Sequence, residues 1–301
     1  MEFFIQQLTN GLAVGGIYAL IALGYTMVYG VLKLINFAHG DLFTLGAYLG
    51  FTSLVSLGLA DQLGVGAALA LCVLLVMGLS ALAGHVLERA AYRPLRKSGR
   101  LSAVVSALGA SIFIQNAIML LWGARDRAYP ADLLPPMTVS IAGQPVPLIR
   151  LVVFAVSLLV MVGLYVFINR TRMGMAIRAA AIDQGAAKLM GIDVRRVVAV
   201  VFMIGPALGG LAGIMVGLSY GQINFTMGQL YGLKAFTAAI LGGIGNIPGA
   251  MLGGLLLGLV EAFGAAYVSV AWKDALAFFV LILILVVRPT GLLPERVAEK
   301  L

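Results

Sequence analysis

The chain is short of charge. Lys, Arg, Asp and Glu make up 11% of its 301 residues, where soluble domains average about 25%. Hydrophobic residues make up 61%, and the mean hydropathy is +1.05. So little polar material excludes a water-soluble globule, which must cover its core with polar surface. The solvent is therefore lipid, where the backbone must satisfy its own hydrogen bonds in helices or a closed barrel. Apolar runs of about 20 residues without two-residue alternation select helices.

Other scarcities narrow the function. The single cysteine, Cys72, excludes an internal disulfide. The only histidines, His39 and His85, form no H-x-x-x-H pair, and no Cys cluster accompanies them, so no metal centre is expected. No Gly-Lys pair occurs, which excludes a Walker loop. "GGIGNIPG" (242–249) contains G-x-G but lacks the rest of the dinucleotide fingerprint and its strand context. It reads as a helix break, with Asn246, Pro248 and Gly249 as turn residues. "GLSYG" (217–221) has the letters of a hydrolase elbow, but it ends an apolar helix with no strand before it. Without a nucleophile–base pair, a membrane enzyme is disfavoured. The first cation is Lys33, so no cleavable signal peptide is expected.

Intramembrane charge is sparse too. Glu261 is the one acid well inside an apolar run, and Lys234 lies near the start of another. Lys33, His39 and Asp41 flank a predicted break. An ion-coupled secondary amino acid transporter acting alone is the alternative reading, and it usually carries more polar groups near the midplane.

What is present is a series of apolar segments at about 8–32, 41–59, 63–87, 102–122, 149–168, 197–219, 229–244, 248–267 and 274–287. They predict one all-α, polytopic membrane domain over 1–301 with eight or nine spans; 30–41 and 229–244 are the segments that can be re-entrant instead. Three basic segments, 88–100, 170–197 and 288–301, hold 14 of the 20 Lys and Arg (5 + 6 + 3). The positive-inside rule makes all three cytoplasmic, and the parity of the spans then puts the N-terminus outside. The net charge of +8 is explained by these loops rather than by nucleic acid. The segment 123–148 falls outside, with Pro130, Pro135, Pro136, Pro145 and Pro147. Within it "MTVSIAGQPV" predicts a hairpin around Gly143, either a plain connector or part of a docking surface for an external protein.

Glycine is abundant, at 38 residues. Gly205, Gly209, Gly213 and Gly217 lie four apart, as do Gly249 with Gly253 and Gly254 with Gly258. Small residues at this spacing let helix backbones approach closely in lipid. "INFAHGDLFTLGAYLGF" (35–51) and "IGNIPGAMLGGLLLGL" (244–259) echo one another as broken segments, a loose pointer to a transport path.

The middle basic segment, "RTRMGMAIRAAAIDQGAAKLMGIDVRRV", predicts a two-turn helix between an Asp183 N-cap and Gly191 just past its end. Lys188 sits where the helix dipole favours a cation. Ala186, Leu189 and Met190 share a face that Ile182 extends. So short a helix needs something to pack on, either the bilayer surface or another protein. The abundant alanines favour the protein.

"GAAKLMG" (185–191) resembles the E-A-A-x-x-x-G signature of ABC importer permeases through Gly185, Ala186, Ala187 and Gly191, and departs from it at Gly185, where the signature has Glu. "YALIALGYTMVYGVLKLINFAHGD" (18–41), "ERAAYRPLR" (88–96), "SALGASIFIQN" (106–116), "KAFTAAILGGIGNIPGAMLGGLLLG" (234–258) and "PTGLL" (289–293) look like branched-chain amino acid permeases of the LivH type, over essentially the whole chain. That resemblance implies one subunit of a bacterial inner-membrane importer. Its partners would be a second, LivM-like permease, two cytoplasmic ATPases and a periplasmic substrate-binding protein. ATP and Mg would be bound by the ATPases, and no cofactor by this chain. The implied ATPase-coupling residues are Arg178, Asp183, Gly185, Ala186, Ala187, Lys188, Leu189, Met190 and Gly191. Asn36, His39, Asn246 and Glu261 are expected near the translocation path.

Overall fold

The computed structural model describes residues 2–95, 99–129, 137–141 and 143–293. Arg96, Lys97, Pro130, Pro135, Pro136 and the end of the basic tail, 294–301, lie outside the described residues. Twelve α-helices follow one another: α1 (Glu2–Leu32), α2 (His39–Phe51), α3 (Leu59–Leu63), α4 (Val65–Leu87), α5 (Arg100–Trp122), α6 (Leu148–Arg170), α7 (Arg172–Ile182), α8 (Gln184–Leu189), α9 (Val194–Tyr220), α10 (Met227–Gly242), α11 (Ile247–Tyr267) and α12 (Lys273–Val287). Wide π turns extend α2 over Thr52–Ser56 and α4 over Glu88–Tyr92. Among the described residues four short strands lie in the connections: β1 (Arg127–Ala128), β2 (Thr138–Ile141), β3 (Gln144–Pro147) and β4 (Gln222–Ile223). β2 and β3 form the antiparallel hairpin about Gly143, whose φ is +83°, and β1 pairs antiparallel with β4.

Among the described residues seven helices are long and apolar enough to cross a bilayer: α1, α4, α5, α6, α9, α11 and α12, the last counted from Val270. The two remaining apolar elements are shorter. α2 has 13 residues and α10 has 16, so α10 rises only about 24 Å against a hydrocarbon core of about 30 Å. Both pack inside the protein, against each other and against α1 and α9 or α11. Their non-helical ends are therefore sheltered by protein rather than presented to lipid, the condition under which broken helices persist at depth. Seven long spans with two shorter buried helices are roughly compatible with the eight or nine expected.

The bundle has a centre and a periphery. α1 is 94% buried over its most apolar stretch, whereas α12 is 6% buried. The central crossings are made at glycine. A Cβ on Gly15 of α1 would lie 2.8 Å from Leu255 Cα of α11, one on Gly254 2.7 Å from Ala19 Cβ, and one on Gly258 2.7 Å from the Gly11 carbonyl. On α9, a Cβ at Gly213 would meet Ala47 N of α2 at 2.7 Å. Gly253 and Gly249 of α11 face Gly242 of α10, at 2.8 Å from its N and 3.0 Å from its carbonyl carbon. Gly205 and Gly209 are looser, 3.4 Å from Gly24 Cα and 3.7 Å from His39 Cε1. At Gly217 the nearest neighbour of a Cβ is the Tyr129 ring, with Cζ 2.6 Å away. α9 also contains Pro206, whose missing N–H frees the Phe202 carbonyl of its helical donor. α4 packs its backbone against that carbonyl at Gly84, where no side chain fits.

Contacts among the helix ends sort the connections. Gln184 Nε2 donates to the Val31 carbonyl at 2.6 Å, the Tyr92 hydroxyl donates to Asn36 Oδ1 at 2.9 Å, and Gly30 faces Gly245. Leu292 and Leu293 donate to the last carbonyls of α10, at Leu241 and Gly242, both at 2.9 Å. The basic segments thus gather at one end of the bundle, with the breaks at 33–38 and 243–246. The hairpin and the β1–β4 pair are carried by connections at the other end.

Candidate functional site

Two places concentrate chemistry, one at each end. At the basic end, Thr171 caps α7 by accepting from Gly174 N, and Arg178 ties α7 back to α6 by donating to the Ile168 carbonyl and to Asn169 Oδ1. Asp183 then caps α8, accepting from Gly185 N at 2.7 Å and Ala186 N at 3.1 Å. The chain leaves α8 through Gly191 at φ +81° and enters α9 under an Asp193 cap. α8 therefore has fixed ends despite its six residues. Ala187 packs inward, whereas Ile182, Leu189 and Met190 are exposed at 73%, 90% and 82%. Three large apolar side chains are thus exposed in and beside a short, capped helix at the charged end. The space at Gly185 is open, with only Asp183 Oδ1 near a Cβ there.

At the opposite end lies a network that sequence reading saw only in pieces. Glu261 of α11 accepts from the Tyr18 hydroxyl of α1 at 2.6 Å. Its other oxygen is 2.9 Å from Lys234 Nζ of α10 and 3.7 Å from Lys273 Nζ. Lys234 also reaches Asp274 Oδ1 at 2.6 Å. Lys234 and Glu261 are buried, while Lys273 and Asp274, in the first turn of α12, are partly open. The four charges balance, two against two. Lys234, Glu261 and Lys273 border a cavity of about 400 Å³ that continues to Asn224 and Asp126, with Val216, Met227 and Leu230 supplying an apolar wall. Tyr18, Lys273 and Asp274 were not picked out from sequence. Lys273 and Asp274 look there like ordinary flanking charges, and Tyr18 lies 243 residues from its partner.

The four expected path residues do not converge. Asn36 is buried at the basic end, accepting from Tyr92 and from Ala38 N. Asn246 caps α11 by accepting from Gly249 N at 3.1 Å. His39 opens α2 and packs edge-on to Tyr25 with ring centroids 4.7 Å apart. Of the four, Glu261 borders the charged cavity. A smaller cavity of about 320 Å³ lies between α2, α5 and α10, where Ser111 donates to the buried Asp41 at 2.5 Å.

Residues 7–285 match the family model described as the branched-chain amino acid transport system / permease component. The chain belongs to that permease family. It is 46% identical to the high-affinity branched-chain amino acid transport system permease protein BraD of Pseudomonas aeruginosa, over 99% of this chain and 98% of that one. It is 44% identical to the corresponding protein LivH of Escherichia coli K12, with the same coverage. The fold also resembles a solved metal-chelate type ABC transporter in an inward-facing conformation, with a TM-score of 0.51 and 18% identity, covering 95% of this chain and 88% of that one. This permease therefore has the helical architecture of an ABC transporter's membrane subunit.

Proposed function

We propose that the chain is one of two unlike permease subunits of an ATP-driven importer of branched-chain amino acids. The observation that carries this reading is 44–46% identity over almost the full length to permeases named for high-affinity branched-chain amino acid transport. The second subunit would be a LivM-like permease, with a periplasmic binding protein delivering substrate. Two cytoplasmic ATPases would hold ATP and Mg, and this chain would bind no cofactor. Its location would be the bacterial inner membrane, with the basic end and C-terminus cytoplasmic and the N-terminus periplasmic.

The mechanism follows from where force can enter. ATPase closure would press on the exposed apolar face of α8, around Leu189 and Met190. The capped joints at Asp183 and Asp193, and the Gln184 contact to the end of α1, would pass that motion to α9 and α1. These are the two most buried spans, so tilting them repacks the bundle between discrete inward- and outward-facing arrangements. The translocation path would run against the partner permease.

Purification in mild detergent tests the assignment. The chain should carry a second permease and ATPase subunits with it. In proteoliposomes with the binding protein, leucine, isoleucine or valine should stimulate ATP hydrolysis and be taken up. Uptake by this chain alone, without ATPases, would instead establish a secondary transporter.

A further inference from the structure

We propose that the charged cavity between α1, α10, α11 and the start of α12 binds the zwitterionic backbone of an α-amino acid. Lys234 and Lys273 would take the carboxylate, and Glu261 the ammonium. The inference rests on the reading of the chain as an amino acid permease subunit, and it assigns a substrate contact to residues of this chain.

Three observations carry it. First, the charged residues that line the cavity cancel, Lys234 and Lys273 against Glu261 and Asp126, so a lone anion or cation would leave an uncompensated charge in a partly desolvated site. A zwitterion does not. Its carboxylate can replace one acid at Lys234 while its ammonium takes the acid set free, so ion pairs are exchanged rather than lost. Second, the volume of about 400 Å³ lies in the range of small-molecule sites. Third, the walls differ in kind: Val216, Met227 and Leu230 stand on α9 and α10, whereas the charges come from α10, α11 and α12. An apolar side chain and a charged backbone thus each have a surface to meet. Lys273 and Asp274 are partly solvent-accessible, which provides an entrance at the end opposite the basic segments.

The test uses the importer assembled with cysteine-free partner subunits and without binding protein, so that only the membrane part can select the ligand. Cys72 is buried and the chain has no other cysteine, so Leu230→Cys gives a single reporter on the cavity wall. L-Leucine should slow maleimide labelling of that cysteine several-fold. Leucinamide, which lacks the carboxylate, and isocaproate, which lacks the ammonium, should not. Lys273→Met, at a partly exposed position, and Glu261→Gln should each abolish the protection. No protection by leucine, equal protection by either analogue, or protection that survives both substitutions would overturn the proposal. Absence of branched-chain amino acid uptake by the wild-type importer with its binding protein is a different result, and it counts against the assignment of function.

Discussion

At the scale of single residues, conformation and charge make separable demands. Gly191 ends α8 at φ +81° in open space, so backbone strain alone governs what can replace it. A β-branched residue there costs about 1–2 kcal/mol, whereas asparagine tolerates the left-handed region. Gly191→Val should therefore cut substrate uptake per ATP hydrolysed, and Gly191→Asn should retain most of it. Equal coupling in both variants would mean that the turn after α8 does not transmit force. Lys234 makes the contrasting case, because its ammonium is buried between Glu261 and Asp274. Lys234→Met and Glu261→Gln, singly and together, form a double-mutant cycle read by thermal unfolding in mild detergent. A favourable interaction of about 0.5–3 kcal/mol is expected for groups in contact. Strictly additive losses would deny the pair an energetic role.

At the scale of helices, the α1–α11 crossing shows what glycine does where lipid supplies no hydrophobic drive. Gly258 meets the backbone of α1 at Gly15, and no rotamer of a larger residue avoids it. Gly163 of α6 has nothing within 4 Å of a Cβ. Gly258→Leu should lower the unfolding temperature in detergent sharply, since overpacking costs about 1–3 kcal/mol even where side chains can yield. Gly163→Leu should leave it unchanged or raise it, because leucine is the better helix former. Similar losses in both would mean that crossing distance is not what these glycines set. The long spans and the breaks at 33–38 and 243–246 were legible in sequence, because bilayer thickness fixes one and Gly, Asn and Pro mark the other. The α8 caps were legible for the same local reason. The Lys234–Glu261–Tyr18 network was not: each group is a lone polar letter in an apolar run, and their separations of 27 and 243 residues become contacts only when α1, α10 and α11 pack. Gly217 shows the converse. Its spacing matched a helix-packing stripe, yet what fills the space beside it is Tyr129 from an irregular connection.

At the scale of the molecule, the distribution of charge and the path of the chain make one prediction together. The middle basic segment around α8, the Glu88–Tyr92 turn and the segment after α12 are tied through Val31, Asn36 and Leu241 to one end of the bundle. Lys and Arg concentrate in those segments, and a membrane retains such loops on its cytoplasmic side. The hairpin Thr138–Pro147 lies across one span, α5, from the first basic segment and across one, α6, from the second, so a single inversion of orientation would move every loop at once. Ser140 of the hairpin and Met190 beside α8 are both exposed. Ser140→Cys should react with a membrane-impermeant maleimide in intact cells whose outer membrane has been permeabilised. Met190→Cys should react only in inside-out vesicles, and addition of the ATPase subunits should protect it. The reverse pattern would invert the whole topology and remove α8 from the reach of any cytoplasmic ATPase. Correct sidedness without protection would keep the fold's orientation but move the docking surface off the Ile182–Met190 face.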